Sequence, residues 1–177
     1  MALPDSLKLV PGTPIVLGES GATGVTHVLS LDALADGTAR MSAVIDLGAS
    51  FDQEYSVIVS IMTGTAPAAG ARFDLYLACT HSTSYYPAGL TGSDGAWPGD
   101  SNEDEWALQI GAPVVSLILT ADGNTQQTQG AVIWRPSGRY VIAVLDNNSG
   151  QAIRDYTPNS DNPSRVFIVP LTAQIQD

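Results

Sequence analysis

Lysine, cysteine and glutamate are nearly missing from this chain of 177 residues. Lys8 is the single lysine, six arginines are scattered from Arg40 to Arg165, and 18 acidic side chains bring the net charge to −11. Phosphate recognition draws on clustered Lys and Arg, so neither nucleic acid nor an anionic membrane surface is an expected partner. No run of about 18 apolar residues is present, and no membrane-crossing helix is expected. The opening stretch from Met1 to Lys8 lacks the basic start and continuous apolar run of a secretory signal. The lone cysteine, Cys79, excludes an internal disulfide framework. Together these absences lead us to expect a chain made and assembled in a reducing cytoplasm.

Surface helix formers are scarce as well, since four Glu and one Lys are all the chain has. Val, Ile and Thr number 14, 11 and 14. β-Branched side chains are stiff at χ1 and pack well on a pleated sheet. Gly and Pro, at 17 and 11, supply many turns. Apolar residues make up 44% of the chain, enough for a core and too many for disorder. The predicted class is a single all-β domain.

Period-2 alternation locates the strands. Across Arg40–Leu47, Met41, Ala43, Ile45 and Leu47 share one side. Across Arg72–Cys79, Phe73, Leu75, Leu77 and Cys79 point one way, with Asp74 and Tyr76 opposite. Tyr55–Met62, Val114–Ala121 and Tyr140–Leu145 are apolar on both faces, as strands covered twice would be. Weaker strands are expected at Pro14–Leu17, Val25–Leu31, Thr128–Arg135 and Arg165–Leu171, and a short helix or loop at Ser30–Asp36. Turn residues separate them, for example at Asp36-Gly37, Asp122-Gly123-Asn124 and Pro136-Ser137-Gly138. About eight strands in one domain predict an antiparallel two-sheet sandwich, jelly-roll-like. An immunoglobulin-like sandwich is the alternative, though it usually needs only about 100 residues.

Two segments depart from this rhythm. Residues 1–18 form an expected extended N-terminal arm, set by Pro4, Pro11 and Pro14 and too apolar for a free tail. Residues 19–177 form the sandwich domain, interrupted by a loop excursion at 81–111. Long loops without structure are uncommon and often functional. This one carries Tyr85, Tyr86, Trp97 and Trp106 among five carboxylates, so an ordered, packed segment is expected. Arm and loop supply the candidate interface residues: Leu3, Leu7 and Leu9, with Tyr85, Tyr86, Trp97 and Trp106. Tyr and Trp are enriched at interface hot spots.

No catalytic or cofactor pattern survives inspection. Gly99-Asp100-Ser101 is followed by no histidine that could serve as base to the serine. Cys79, His81 and His27 fall short of the four N/S ligands of a structural zinc site. Asp100, Asn102 and Asp104 fit the opening of an EF-hand loop, but Glu105 stands where glycine is needed and Gly111 where a bidentate glutamate is needed. Asn147-Asn148-Ser149 matches a glycosylation sequon and reads as a turn. No cofactor, no metal and no enzymatic activity are expected. A carbohydrate-binding module, stacking Trp97 and Trp106 on sugar rings, is the main alternative to a structural role, and a glycosidase a more distant one.

Thr63-Gly64-Thr65-Ala66-Pro67 leads into Arg72-Phe73-Asp74-Leu75-Tyr76-Leu77. Later, Pro136-Ser137-Gly138-Arg139 opens the strand Tyr140–Leu145, which closes on Asp146-Asn147-Asn148-Ser149-Gly150. Together these resemble small β-sandwich virion proteins of tailed bacteriophages, over roughly residues 55–150. The resemblance implies a capsid decoration or cement protein: a homotrimer on the outer capsid surface, bound to the major capsid protein and assembled in the host cytoplasm. A tail or fibre location is the alternative it leaves open.

Overall fold

The structure, a computed structural model, describes residues 6–87, 89–97, 110–122, 127–155 and 164–176. These residues form twelve β-strands in two sheets, neither closed into a barrel. The first sheet runs β10 (Gln127–Trp134), β6 (Tyr55–Ile61), β12 (Arg165–Gln176), β2 (Ile15–Gly18), then β3 (His27–Val28). The second runs β8 (Gly95–Ala96), β4 (Thr38–Met41), β11 (Tyr140–Asn148), β7 (Arg72–Thr80), β9 (Val115–Ile118), with β5 (Ile45–Asp46) also on β11. β1 (Ser6–Pro11) extends the first sheet along the far half of β12.

The connectivity is that of a long hairpin rolled up. β2 pairs with β12, β4 with β11, β6 with β10 and β7 with β9, all antiparallel. Rolling then sets β6 beside β12 and β7 beside β11. The result is the two-sheet jelly roll expected from the sequence.

The inner faces meet in one core. Val57, Val59, Ile61, Val166, Ile168 and Leu17 of the first sheet oppose Phe73, Leu75, Leu77, Val141, Ala143 and Leu145 of the second. Phe73, Val141 and Leu145 have no exposed surface. On β7 the expected alternation holds, with Tyr76 and Ala78 facing away from Phe73, Leu75 and Leu77 into a second cluster. β11 is likewise buried on both faces.

Several expectations are corrected. Arg40–Leu47 is not one strand: the pairing of β11 shifts by one residue between β4 and β5. Ser42 fills the gap, donating its amide to the Ala143 carbonyl at 2.8 Å and accepting the Ala143 amide on its hydroxyl at 3.0 Å. A one-residue shift exchanges faces, so Met41 packs in the outer cluster and Ile45 in the inner one. Tyr55–Met62 is buried on one face only, with Ser56, Ile58 and Ser60 half-buried on the other. Val114–Ala121 is an edge: Val115, Leu117 and Leu119 are buried, but Ile118 is 56% exposed. Of the two readings of Ser30–Asp36 the loop holds, formed by turns, and Val25–Leu31 contributes only the short β3, parallel to β2.

Candidate functional site

Two apolar strand surfaces lie outside the central core, and the chain treats them differently. The first is the outer face of the second sheet. Leu90 and Trp97, from the excursion expected at 81–111, pack on Ala39, Met41, Tyr76, Ala78, Ile142 and Val144, with Tyr86 partly buried beside them. The cover is stitched down along its length. Val44 donates its amide to Gly92 (3.0 Å), Trp97 donates to Ala39 (3.0 Å), and β8 pairs with β4. Asp94 accepts hydrogen bonds from the Ser30 amide and hydroxyl (2.8 Å each) and from Arg40 Nη2 (2.9 Å). Burial pushes the Asp94 carboxyl upward, but the bonds from Arg40 and Ser30 outweigh it and hold the group below its usual value. Gly92 is required twice over. Its φ is +74°, and a Cβ there would come within 2.6 Å of the Tyr86 ring.

This cover decides the fate of the aromatic candidates. Trp97 is 6% exposed and offers no stacking face to a sugar or a partner. Tyr86 donates its hydroxyl to the Thr83 carbonyl at 2.6 Å. Tyr85 alone of the three is presented outward, at 76% exposure. Trp106, Leu3 and the acidic stretch with Asp100, Asn102, Asp104 and Glu105 lie outside the described residues.

The second surface is a ribbon. β12 has twelve residues, and its first half is flanked by β6 on one side and β2 on the other. Its second half outruns β6 and, among the described residues, pairs only with β1, from Pro11↔Leu171 to Ser6↔Gln176. Gly12 carries the kink between β1 and β2, donating to the Pro170 carbonyl at 2.9 Å, where a Cβ would meet Pro170 Cγ at 2.9 Å. Alternate residues share a face of a strand, which groups Leu9 and Pro11 with Leu171 and Ala173. The backbone register continues to the pair Leu7↔Ile175. Leu9 is 45% exposed.

A cleft of about 390 Å³ lies against this ribbon, lined by Leu9, Leu171, Ala173, Phe51, Asp52, Gln53 and Glu54. Its 51–54 wall is anchored. Leu171 donates to the Glu54 carbonyl (2.9 Å), Thr172 Oγ1 to Asp52 Oδ1 (2.9 Å), and the Asp52 amide to the Tyr55 hydroxyl (3.2 Å). Arg135 grips Glu54 through Nε at 3.0 Å and Nη2 at 2.5 Å. Residues 6–18, expected as an extended arm, thus lie on the chain's own first sheet. Leu9, a candidate interface residue from the sequence, lies on the exposed surface, and the last strand runs beyond the expected Arg165–Leu171 to Gln176. The signal for the rest was the alternation Leu171-Thr172-Ala173-Gln174-Ile175.

Glu19, 9% exposed, accepts the Asp32 amide at 2.8 Å, and its carboxyl is raised, first by burial and then by the neighbouring charges of Asp32 and Asp94. His27 is half-buried and lowered by burial. Cys79 packs against the core. Asp74 and Asp146 stand opposite one another in register, 2% and 3% exposed. Asp74 is bonded to Arg72 Nε (2.6 Å) and to the Ser116 hydroxyl, and Asp146 to Asn148 Nδ2 (2.5 Å). The sequon residue Asn147 is fully buried, with Nδ2 donating to the carbonyls of Leu34 and Gln151. Among the described residues, no group of His, Cys, Asp or Glu gathers to hold a metal ion, and no helix is long and apolar enough to cross a membrane. Comparison with known proteins returns no matching family model and no matching curated protein.

Proposed function

We propose that this chain is a structural, protein-binding subunit of a bacteriophage particle, of the capsid decoration type. In this reading it sits on the outer capsid surface as a homotrimer, bound to the major capsid protein after assembly in the host cytoplasm. The observation that supports it is the β1–β12 ribbon, which extends past the sandwich with an exposed apolar face and an anchored wall beside it. An isolated two-stranded ribbon is marginal in water, and an apolar strand face lying beside an open strand edge suits protein docking. A subunit that binds only the assembled lattice stabilises that lattice by its binding free energy. The resemblance of residues 55–150 to small phage sandwich proteins directs the choice of particle, and the net charge of −11 favours an outward position away from DNA.

Mass spectrometry of purified particles tests the reading, together with sedimentation of the isolated chain. The expected result is a stoichiometric virion component and a trimer. A chain absent from purified particles, or one that stays monomeric and does not pellet with capsids, would contradict it.

A further inference from the structure

We propose that the open edge of β12 at Ala173 and Ile175 takes up an extended, lysine- or arginine-bearing segment of the partner protein as an added strand. The inference deepens the protein-binding reading above and rests on it. In an antiparallel sheet, successive residues aim their N–H and C=O groups to alternate sides. The Pro170 carbonyl accepts from Gly12, on the β1–β2 side, whereas the Leu171 amide donates to Glu54, on the β6 side. Ala173 and Ile175 therefore aim their backbone groups toward β6, whose pairing with β12 ends at Tyr55↔Pro170. Among the described residues no strand continues β6 there. The wall turns aside instead, and Asp52 is held by the Thr172 side chain.

The two edges of the ribbon are not equivalent. On β1 the outward backbone positions include Pro11, which has no N–H to offer, and proline is a usual means of blunting an edge. Residues 171–176 of β12 contain no proline and carry the cleft beside them. A strand laid along this edge would make main-chain bonds to Ala173 and Ile175. Its alternate side chains would fall on the apolar floor of Leu9, Leu171 and Ala173, as in other strand-addition complexes.

Charge selects the occupant. Glu54 is matched by Arg135, but Asp52 faces the cleft with only a hydroxyl partner among the described residues. The whole chain carries 18 acids against 7 bases. A second copy would bring like charge to the same edge, while a cationic segment is drawn in and held.

The test uses the full chain and a short capped peptide alternating lysine with valine, beside a counterpart alternating glutamate with valine. Titration calorimetry should show binding of the lysine peptide and none of the glutamate peptide. Ala173→Pro, which removes the edge N–H without touching the β1 pairing, should weaken binding about ten-fold or more. In the unsubstituted chain, the Ala173 amide resonance should move on titration, a readout that stands even if the variant folds poorly. Binding that ignores Ala173→Pro and leaves that resonance in place would be diffuse charge attraction and would overturn the proposal. So would absence of binding. Self-association abolished by Ala173→Pro would assign the edge to a second copy and overturn the cationic partner. None of these outcomes depends on whether the chain occurs in phage particles, so the two readings fail separately.

Discussion

The outer face of the second sheet and the outer face of the β1–β12 ribbon are built from similar residues, yet among the described residues only one is sealed. Over the sheet, Leu90 and Trp97 close the surface and Asp94 ties the cover to Ser30 and Arg40. Over the ribbon, Leu9 stays 45% exposed and the neighbouring wall is fixed in place without closing over it. Residues 90–97 thus cover β4, β7 and β11, while among the described residues a shorter apolar surface is left open beside a strand edge with no paired strand. Apolar surface alone does not mark a docking site. What distinguishes the ribbon is that, among the described residues, the covering segment 90–97 packs on the other sheet and none closes over this face.

The contrast predicts opposite outcomes for substitutions on the two surfaces. The largest effect on stability should follow Trp97→Ala, which empties the buried cover and should cost about 3–5 kcal/mol in urea unfolding. Asp94→Ala should cost about 2 kcal/mol by the same measurement, since it leaves Arg40 and Ser30 without their shared acceptor. Gly92→Ala should cost about 1–3 kcal/mol, combining backbone strain at φ +74° with the clash against Tyr86. Leu9→Ser, on the open surface, should shift stability by no more than about 0.5 kcal/mol while weakening partner binding. A destabilising Leu9→Ser or a neutral Trp97→Ala would erase the distinction.

Asp94 of the cover and the buried Glu19 add a pH signature. The Asp94 carboxyl is depressed in the fold, so its contribution is present above its unfolded-state pKa and is lost as pH falls through the folded value. Asp94→Asn should therefore be less stable than the parent at neutral pH, with the gap closing in acid. Glu19 has the opposite sign. Its carboxyl is raised chiefly by burial, so its contribution is complete below the unfolded-state pKa and lost as pH rises through the folded value. Glu19→Gln, which keeps an oxygen for the Asp32 amide, should gain stability at neutral pH and match the parent in acid. Thermal unfolding across the acidic range checks both.

Much of the fold was legible because burial follows alternation. Phe73, Leu75 and Leu77 announced the inner face of β7, and the two-faced apolar run at Tyr140–Leu145 announced a strand covered on both sides. The errors arose where a single residue broke the count. At Ser42 a side chain substitutes for the ladder and turns Met41 and Ile45 to opposite faces, which no periodic pattern reveals. The candidate site was half legible. Leu9 and the apolar character of the N-terminal stretch were visible, but the partner of that stretch, Leu171–Gln176, lies at the opposite end of the sequence. Local pattern carries no information on such a pairing. Trp97 misled for a related reason: an aromatic in a polar loop suits an interface as well as a cover, and only the tertiary contacts separate the two.

Residue-resolved amide hydrogen exchange on the isolated chain tests the contrast between the two surfaces most directly. The Ala173 amide should exchange rapidly, within a sheet whose paired neighbours are protected, while Ile142 and Val144 beneath the cover should exchange only with global unfolding. If Ala173 proves as protected as Val144 in the isolated chain, the edge is already occupied and the ribbon is not a vacant docking strand.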